Sequence, residues 1–209
     1  MTARRTTTTY AILGLLSVQT WTSYELAKQV QRSLKWFWPR AERKLYDEPK
    51  RLVADGLATA TQESTGKRPR TVYGITDAGR EELRRWLGEP PAPPTIEFEG
   101  LVKIFFAEAG SLDQLNATLD AIAAEAAARL ESLADMAESG VASPNFPERL
   151  HIGALPMRLS LEHEATVLRW VAWAREQVAI WTDAGDPGEW DAATALTDLA
   201  KDARAAVAG

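Results

Sequence analysis

Four prolines within six residues, in Glu89-Pro-Pro-Ala-Pro-Pro94, bar any helix or strand from running through the middle of this chain. Proline locks φ and offers no backbone N–H, so the stretch reads as a stiff linker. The charge balance changes sign at the same place. Residues 1–89 hold 16 Lys+Arg against 10 Asp+Glu, a balance of +6, whereas residues 90–209 hold 8 against 19, a balance of −11. The overall −5 therefore averages a basic half and an acidic half, the composition of a nucleic-acid-binding head on a different body. The 209 residues suffice for two small domains, expected at 1–89 and 98–209 with 90–97 as the Pro-rich linker.

The absence of cysteine excludes disulfides, thiolate metal sites and cysteine nucleophiles. Glu162-His163-Glu164 is not HExxH, and adjacent helical residues diverge by roughly 100° instead of converging on a metal. Asp183 to Asp191 departs from the Ca²⁺-loop pattern. No Walker loop, dinucleotide fingerprint or nucleophile elbow occurs, so no enzyme, cofactor or metal is expected. The apolar run Tyr10–Val18 follows Arg4 and Arg5 but lacks a small-x-small cleavage pattern, and no run reaches the ~18 to 20 apolar residues of a membrane span. A cytoplasmic protein is expected.

The basic half reads as three helices, a hairpin and a fourth helix. Thr9 to Leu16 is a short buried helix. Thr22-Ser-Tyr-Glu25 is a capping box, with Trp21 and Leu26 as its hydrophobic staple and Leu26, Val30 and Leu34 on one face. A third helix is expected from about Pro39 to Asp55, ending at Gly56, with Ala41, Leu45, Leu52 and Val53 inward. After Gly56 the period changes to two, in Leu57–Gln62 and Thr71–Ile75, around a polar turn Glu63–Arg70 carrying three cations. Thr76 caps the next helix, whose apolar positions are Leu83, Trp86 and Leu87. This is the order of a winged helix-turn-helix.

Tyr10-Ala-Ile-Leu-Gly-Leu-Leu16, Ser23-Tyr-Glu-Leu26, Leu45-Tyr46, Lys50-Arg-Leu-Val-Ala-Asp-Gly-Leu57 and Arg68-Pro-Arg-Thr-Val-Tyr-Gly-Ile-Thr-Asp-Ala-Gly79 together resemble the PadR family of transcriptional regulators. The resemblance implies a mainly α protein with a small β-hairpin wing: an N-terminal winged helix-turn-helix and a C-terminal α-helical dimerisation domain. It further implies a homodimeric regulator, usually a repressor, whose DNA affinity responds to a small molecule. Two residues depart from the family pattern. Ser23 replaces a frequent glycine, and Pro49 stands where a core aliphatic is usual. Proline inside a helix clashes with the carbonyl four residues back, so either the third helix kinks or Pro49 occupies the first turn of a second segment.

Base reading in the major groove requires donors on the N-terminal turns of a recognition helix, where Arg40, Arg43 and Lys44 fall and where arginine can grip guanine with two hydrogen bonds. Tyr46 adjoins them. Lys67, Arg68 and Arg70 on the hairpin tip suit phosphate or minor-groove contact. Tyr24 opens the second helix within reach of a phosphate, and Arg4 and Arg5 are expected to form a loose arm.

In the acidic half, Phe98–Ala107 reads as a short apolar helix. Ser111-Leu-Asp-Gln114 caps a long helix ending near Gly140, with Leu112, Leu115, Leu119, Ile122, Ala126, Leu130 and Leu133 in one stripe that slips at Arg129. A second long helix is expected from about Pro156 to Thr182, apolar on more than one side, and a last amphipathic helix from Asp191 to about Val207. A helix with two apolar sides in so small a domain calls for a second partner, which a C2 dimer supplies. Two heads would then read a palindromic site in double-stranded DNA. Phe105, Phe106, Trp170 and Trp173, with Trp181, form a candidate pocket for a small aromatic effector. The alternative to a DNA-binding repressor is a protein-interaction module that keeps the winged fold and binds a partner through its acidic helices.

Overall fold

The computed structural model describes residues 5–34, 37–38, 46–65 and 68–208, with only the backbone of Thr65 and Arg68. The chain divides into two compact units, Met1–Pro94 and Thr95–Gly209.

In the first unit, α1 (Thr7–Val18) is closed at its start by a capping box between Thr6 and Thr9. Strand β1 (Trp21–Thr22) leads directly into α2 (Ser23–Ser33), which Thr22 and Glu25 cap reciprocally. Helix α3 spans Glu48–Ala54. Strands β2 (Ala58–Thr65) and β3 (Arg68–Ile75) form the hairpin, and α4 (Asp77–Leu87) follows with Thr76 accepting from the Gly79 amide. Ile12, Leu13 and Leu16 of α1, Leu26 and Val30 of α2, Leu52 of α3, and Leu57, Val72 and Tyr73 form the core of this unit.

Several expectations change here. Pro49 lies in the first turn of α3, where its missing N–H has no intrahelical partner to lose. Of the two readings of that proline, the structure adopts the separate segment; residues 39–45 lie outside the described residues. The hairpin ladder extends through most of the stretch expected as turn, pairing Glu63 with Arg70, Ser64 with Pro69 and Thr65 with Arg68. Residues 59–64 are exposed, so no buried face imposes an apolar alternation there. The sheet has a third strand: β1 pairs antiparallel with β3, Trp21 opposite Tyr73 and Thr22 opposite Val72, in the order β1-β3-β2. Two residues are too few to display a period. Leu87 is exposed instead of apolar core. Arg5 is not part of a loose arm, because Glu82 and Asp55 accept from its guanidinium at 3.1 and 3.4 Å.

Two glycines are required by geometry. Gly56 has φ 74°, and the bonds Gly56 N–H to Val53 O (3.0 Å) and Leu57 N–H to Leu52 O (2.8 Å) close α3 as a Schellman motif. At Gly79, a Cβ would lie 2.1 Å from the Leu57 carbonyl oxygen, so α4 approaches the sheet as only glycine permits.

The second unit contains α5 (Glu99–Phe105), α6 (Leu112–Ala142), α7 (Leu150–Val178) and α8 (Ala192–Ala208). Ser111 and Gln114 cap α6 reciprocally. Leu115, Leu119 and Ile122 of α6 pack with Val171, Ala174 and Val178 of α7. Asp120 pairs with Arg175 and Arg129 with Glu164, so one index falls as the other rises and the two helices are antiparallel. Arg129, where the apolar stripe slips, donates to the buried Glu164 at 2.6 Å. Helix α7 begins six residues before Pro156 because the 3₁₀ turn Pro147–Arg149 supplies its start. Much apolar surface of this unit is bare: α5 and α8 bury no residue, and Leu101, Val102, Leu155, Leu159, Leu196 and Leu199 are exposed.

Glu82 ties α1 to α4. Its carboxylate accepts from the Tyr10 hydroxyl (2.9 Å), Arg5 (3.1 Å) and Arg85 (2.8 and 3.0 Å), while the Tyr10 ring stacks on Trp86 at 4.6 Å. The hydrogen bonds from Arg85, ahead of those from Tyr10, bring the carboxyl from the ordinary 4.5 to about 2, whereas burial followed by Glu82 raises Tyr10. A carboxylate depressed in the folded state stabilises fully above its unfolded pKa and loses that contribution as pH falls through the folded value. Glu82→Gln is expected to lower stability at neutral pH and to flatten its decline between about 4.5 and about 2, measured by urea unfolding across that range.

Candidate nucleic-acid interface

The first turn of α2 is set by its capping box: Glu25 accepts from the Thr22 amide at 2.8 Å, and Thr22 Oγ1 accepts from the Glu25 amide at 3.2 Å. That geometry leaves Tyr24 outward and 72% exposed. The Thr22 backbone bond, ahead of its hydroxyl bond and with a smaller contribution from the positive charge of Arg70, lowers the Glu25 pKa.

Helix α3 is anchored beneath the surface. Glu48 is buried at its first position and accepts from Thr9 Oγ1 of α1 at 2.5 Å, and Trp38 donates its indole N–H to Thr8 of α1 at 3.1 Å. Tyr46 precedes the helix and is 59% exposed. Lys50 and Arg51, on the first turn and a half of α3, are also exposed. Lys50 lies 3.7 Å from Asp47, and Arg51 lies 4.0 Å from Glu48. This pair falls outside the base-reading set that a helix start near Pro39 implies. The signal that could have found them was Asp47-Glu-Pro49, an acidic first turn with proline, which marks a helix start.

On the hairpin, Arg70 belongs to β3 instead of the tip and donates to Glu63 across the ladder at 2.9 Å. Gln62 donates to Thr71 at 2.9 Å beside it. Since β1 pairs with β3 up to Thr22–Val72, the hairpin cation Arg70 and the Tyr24 turn are brought to one region of the head. Arg40, Arg43, Lys44 and Lys67, with the side chain of Arg68, lie outside the described residues.

The four effector-pocket candidates are placed separately from the cavities of the second unit. Phe105 and Phe106 meet edge to face at 5.0 Å and are exposed, and Trp173 is 48% exposed. Trp170 packs against the α6–α7 core, as does Trp181. An open cleft of about 480 Å³ lies between α5 and α6, with Phe98, Lys103, Thr118 and Ile122 in its wall; a second of about 500 Å³ lies beside Ser111 and Asp183. Neither is lined by any of the four.

Helices packed on a three-stranded sheet, with a long exposed hairpin and the capped helix α2, define a winged-helix domain, here joined to a separate helical unit. The transcriptional regulator PadR-like family matches residues 12–85, and the virulence activator alpha C-terminal family matches residues 99–179. The negative transcriptional regulator PadR of Bacillus subtilis is 33% identical over 99 residues, 46% of this chain and 54% of that protein. The match thus spans about half the length of this curated relative. The crystal structure of Bacillus subtilis PadR in complex with operator DNA superposes with a TM-score of 0.72 at 26% identity, covering 83% of this chain and 99% of that one. The same protein in complex with p-coumaric acid gives 0.66 at 25% identity, covering 85% and 99%. Residues 12–85 thus form a PadR-like domain of the kind found in transcriptional regulators.

The Glu48–Thr9 bond holds α3 against α1. Glu48→Ala removes the buried carboxylate that accepts from the Thr9 hydroxyl, leaving that hydroxyl only its Thr6 contacts, and is expected to cost about 1–3 kcal/mol, read from chemical unfolding, with faster hydrogen exchange in α3 as the local signature.

Proposed function

We propose that this protein is a sequence-specific DNA-binding transcriptional regulator that represses from a palindromic operator as a homodimer. The observation that carries the reading is the winged head itself, with a charge of +6 over residues 1–89 and exposed cations on α3 and the hairpin. Support comes from the similarity to a relative solved on operator DNA, over nearly that chain's whole length. In this reading residues 1–89 bind DNA, 90–97 link, and 98–209 dimerise and sense. Arg40, Arg43 and Lys44, with Tyr46, face the major groove; Lys67, Arg68, Arg70 and Tyr24 hold phosphates. Lys50 and Arg51 join the groove-facing set. No described helix is long and apolar enough to cross a membrane, consistent with a cytoplasmic regulator.

Dimerisation is supported by the second unit, whose α8 buries nothing and whose α7 exposes Leu155, Leu159 and Leu161. Exposed apolar residues in this number favour association, and a two-fold partner would cover both copies at once. Release by a small aromatic compound is proposed from the p-coumaric acid bound to the Bacillus subtilis relative, with Phe105, Phe106, Trp170 and Trp173 as the aromatic residues to probe.

The test is fluorescence anisotropy on the DNA upstream of the protein's own gene and on a scrambled sequence, at two salt concentrations. Tighter binding upstream that persists at the higher salt is the expected result. Replacing Lys67, Arg68 and Arg70 with alanine is expected to weaken binding on both sequences and to flatten the salt slope by about 2 to 3 units. Unchanged binding would overturn wing docking. Sedimentation at micromolar concentration is expected to give twice the 23.0 kDa chain mass, and a lone monomer would remove the dimer from the proposal.

A further inference from the structure

The hairpin cation Arg70 is paired with one carboxylate and lies within electrostatic reach of a second. Glu63 is its cross-strand partner in the β2–β3 register and accepts from it at 2.9 Å. Glu25, fixed by its two bonds to Thr22 at the start of α2, feels its charge weakly. Arg70 and Glu63 remain about half exposed, so the pair is accessible to a competing anion. A carboxylate, like a phosphate, offers a guanidinium two anionic oxygen acceptors, and an exposed ion pair is weak enough to exchange.

Resting on the reading of this head as a DNA-binding domain, we propose that Glu63 is an affinity-limiting residue of the wing: a built-in phosphate surrogate that occupies Arg70 until DNA displaces it. Arg70 must trade one anion for another, so its contribution to binding is reduced. Glu63 is then left facing the backbone with an unpaired negative charge. Both effects act on any DNA sequence, because phosphates carry no base identity. The carboxylate suppresses non-specific binding while leaving base recognition on α3 to decide the site. The ordering of Arg70 is a second consequence, since the cation is held near the first turn of α2 before DNA arrives.

The test compares the wild type with Glu63→Gln, Arg70→Ala and the double variant by anisotropy on upstream and scrambled DNA at two salt concentrations. Circular dichroism confirms that each variant is folded. Glu63→Gln is expected to bind both DNAs roughly two- to fivefold more tightly, with a larger gain at low salt. That gain is expected to shrink in the Arg70→Ala background, since Glu63 acts through the cation it holds. An equal gain with and without Arg70 would overturn the surrogate role in favour of plain charge repulsion. No gain, or a loss, from Glu63→Gln would overturn the proposal outright. If Arg70→Ala weakens binding while Glu63→Gln changes nothing, the surrogate alone fails. If the Lys67, Arg68 and Arg70 triple variant binds as the wild type does, wing docking itself is at fault.

Discussion

Strand β3 is the element on which the head depends, because it pairs on both edges. On one edge it carries the eight-residue ladder with β2; on the other it holds Trp21 and Thr22. Those two residues are the only backbone between α1 and the first turn of α2 that joins the sheet, among the described residues. Trp21 fixes the corner further by donating its indole N–H to the Leu15 carbonyl at 2.8 Å. The orientation of α2 and the position of the hairpin are therefore set by one strand. Tyr24 and Arg70, 46 positions apart in the chain, become part of one surface for that reason.

Anchoring beneath that surface is polar where a core is usually apolar. Thr9, buried in α1, bonds Glu48 at the start of α3. Trp38 reaches back to Thr8. Burying a carboxylate is costly unless hydrogen bonds satisfy it, and the short bond from Thr9 supplies that requirement. The Glu82 cluster has the same logic on a neighbouring face of α1, where arginines and a tyrosine surround one carboxylate. In the second unit the long helices use a continuous apolar seam, with Arg129–Glu164 inserted where the stripe shifts. The remainder of that unit's apolar surface stays open in the single chain, which is the physical basis for expecting a second copy.

Most helices and the hairpin were legible in the sequence because their signals are local. The capping boxes at Thr22 and Ser111, the Thr76 cap and the Gly56 terminator all act within a few residues. The apolar seam of α6 was legible for the same reason, as a period repeated over many turns. Less visible were features without a period or with conflicting signals. β1 is too short to alternate, the outer hairpin is exposed on both faces, and α7 begins at Leu150, after the 3₁₀ turn Pro147–Arg149, although Pro156 gave the stronger apparent start. The candidate site was legible as residue types and only partly as positions. Arg70 was identified as a wing cation, yet its partner Glu63 looked like one more polar residue of a turn. Arg5 looked like an arm residue until Glu82 and Asp55, far along the chain, were seen to hold it.

By itself the sequence determined the division at the prolines, the basic and acidic halves, the order of elements and the resemblance to a regulator family. Each follows from composition, from caps, or from periodicity within a short window. Tertiary structure alone decided which cations are free and which are occupied, and which apolar faces find a partner within one chain. It also decided that α3 begins at Glu48. Those outcomes depend on side chains distant in sequence arriving within hydrogen-bond reach, as Thr9 and Glu48 do, and no local pattern encodes such a meeting.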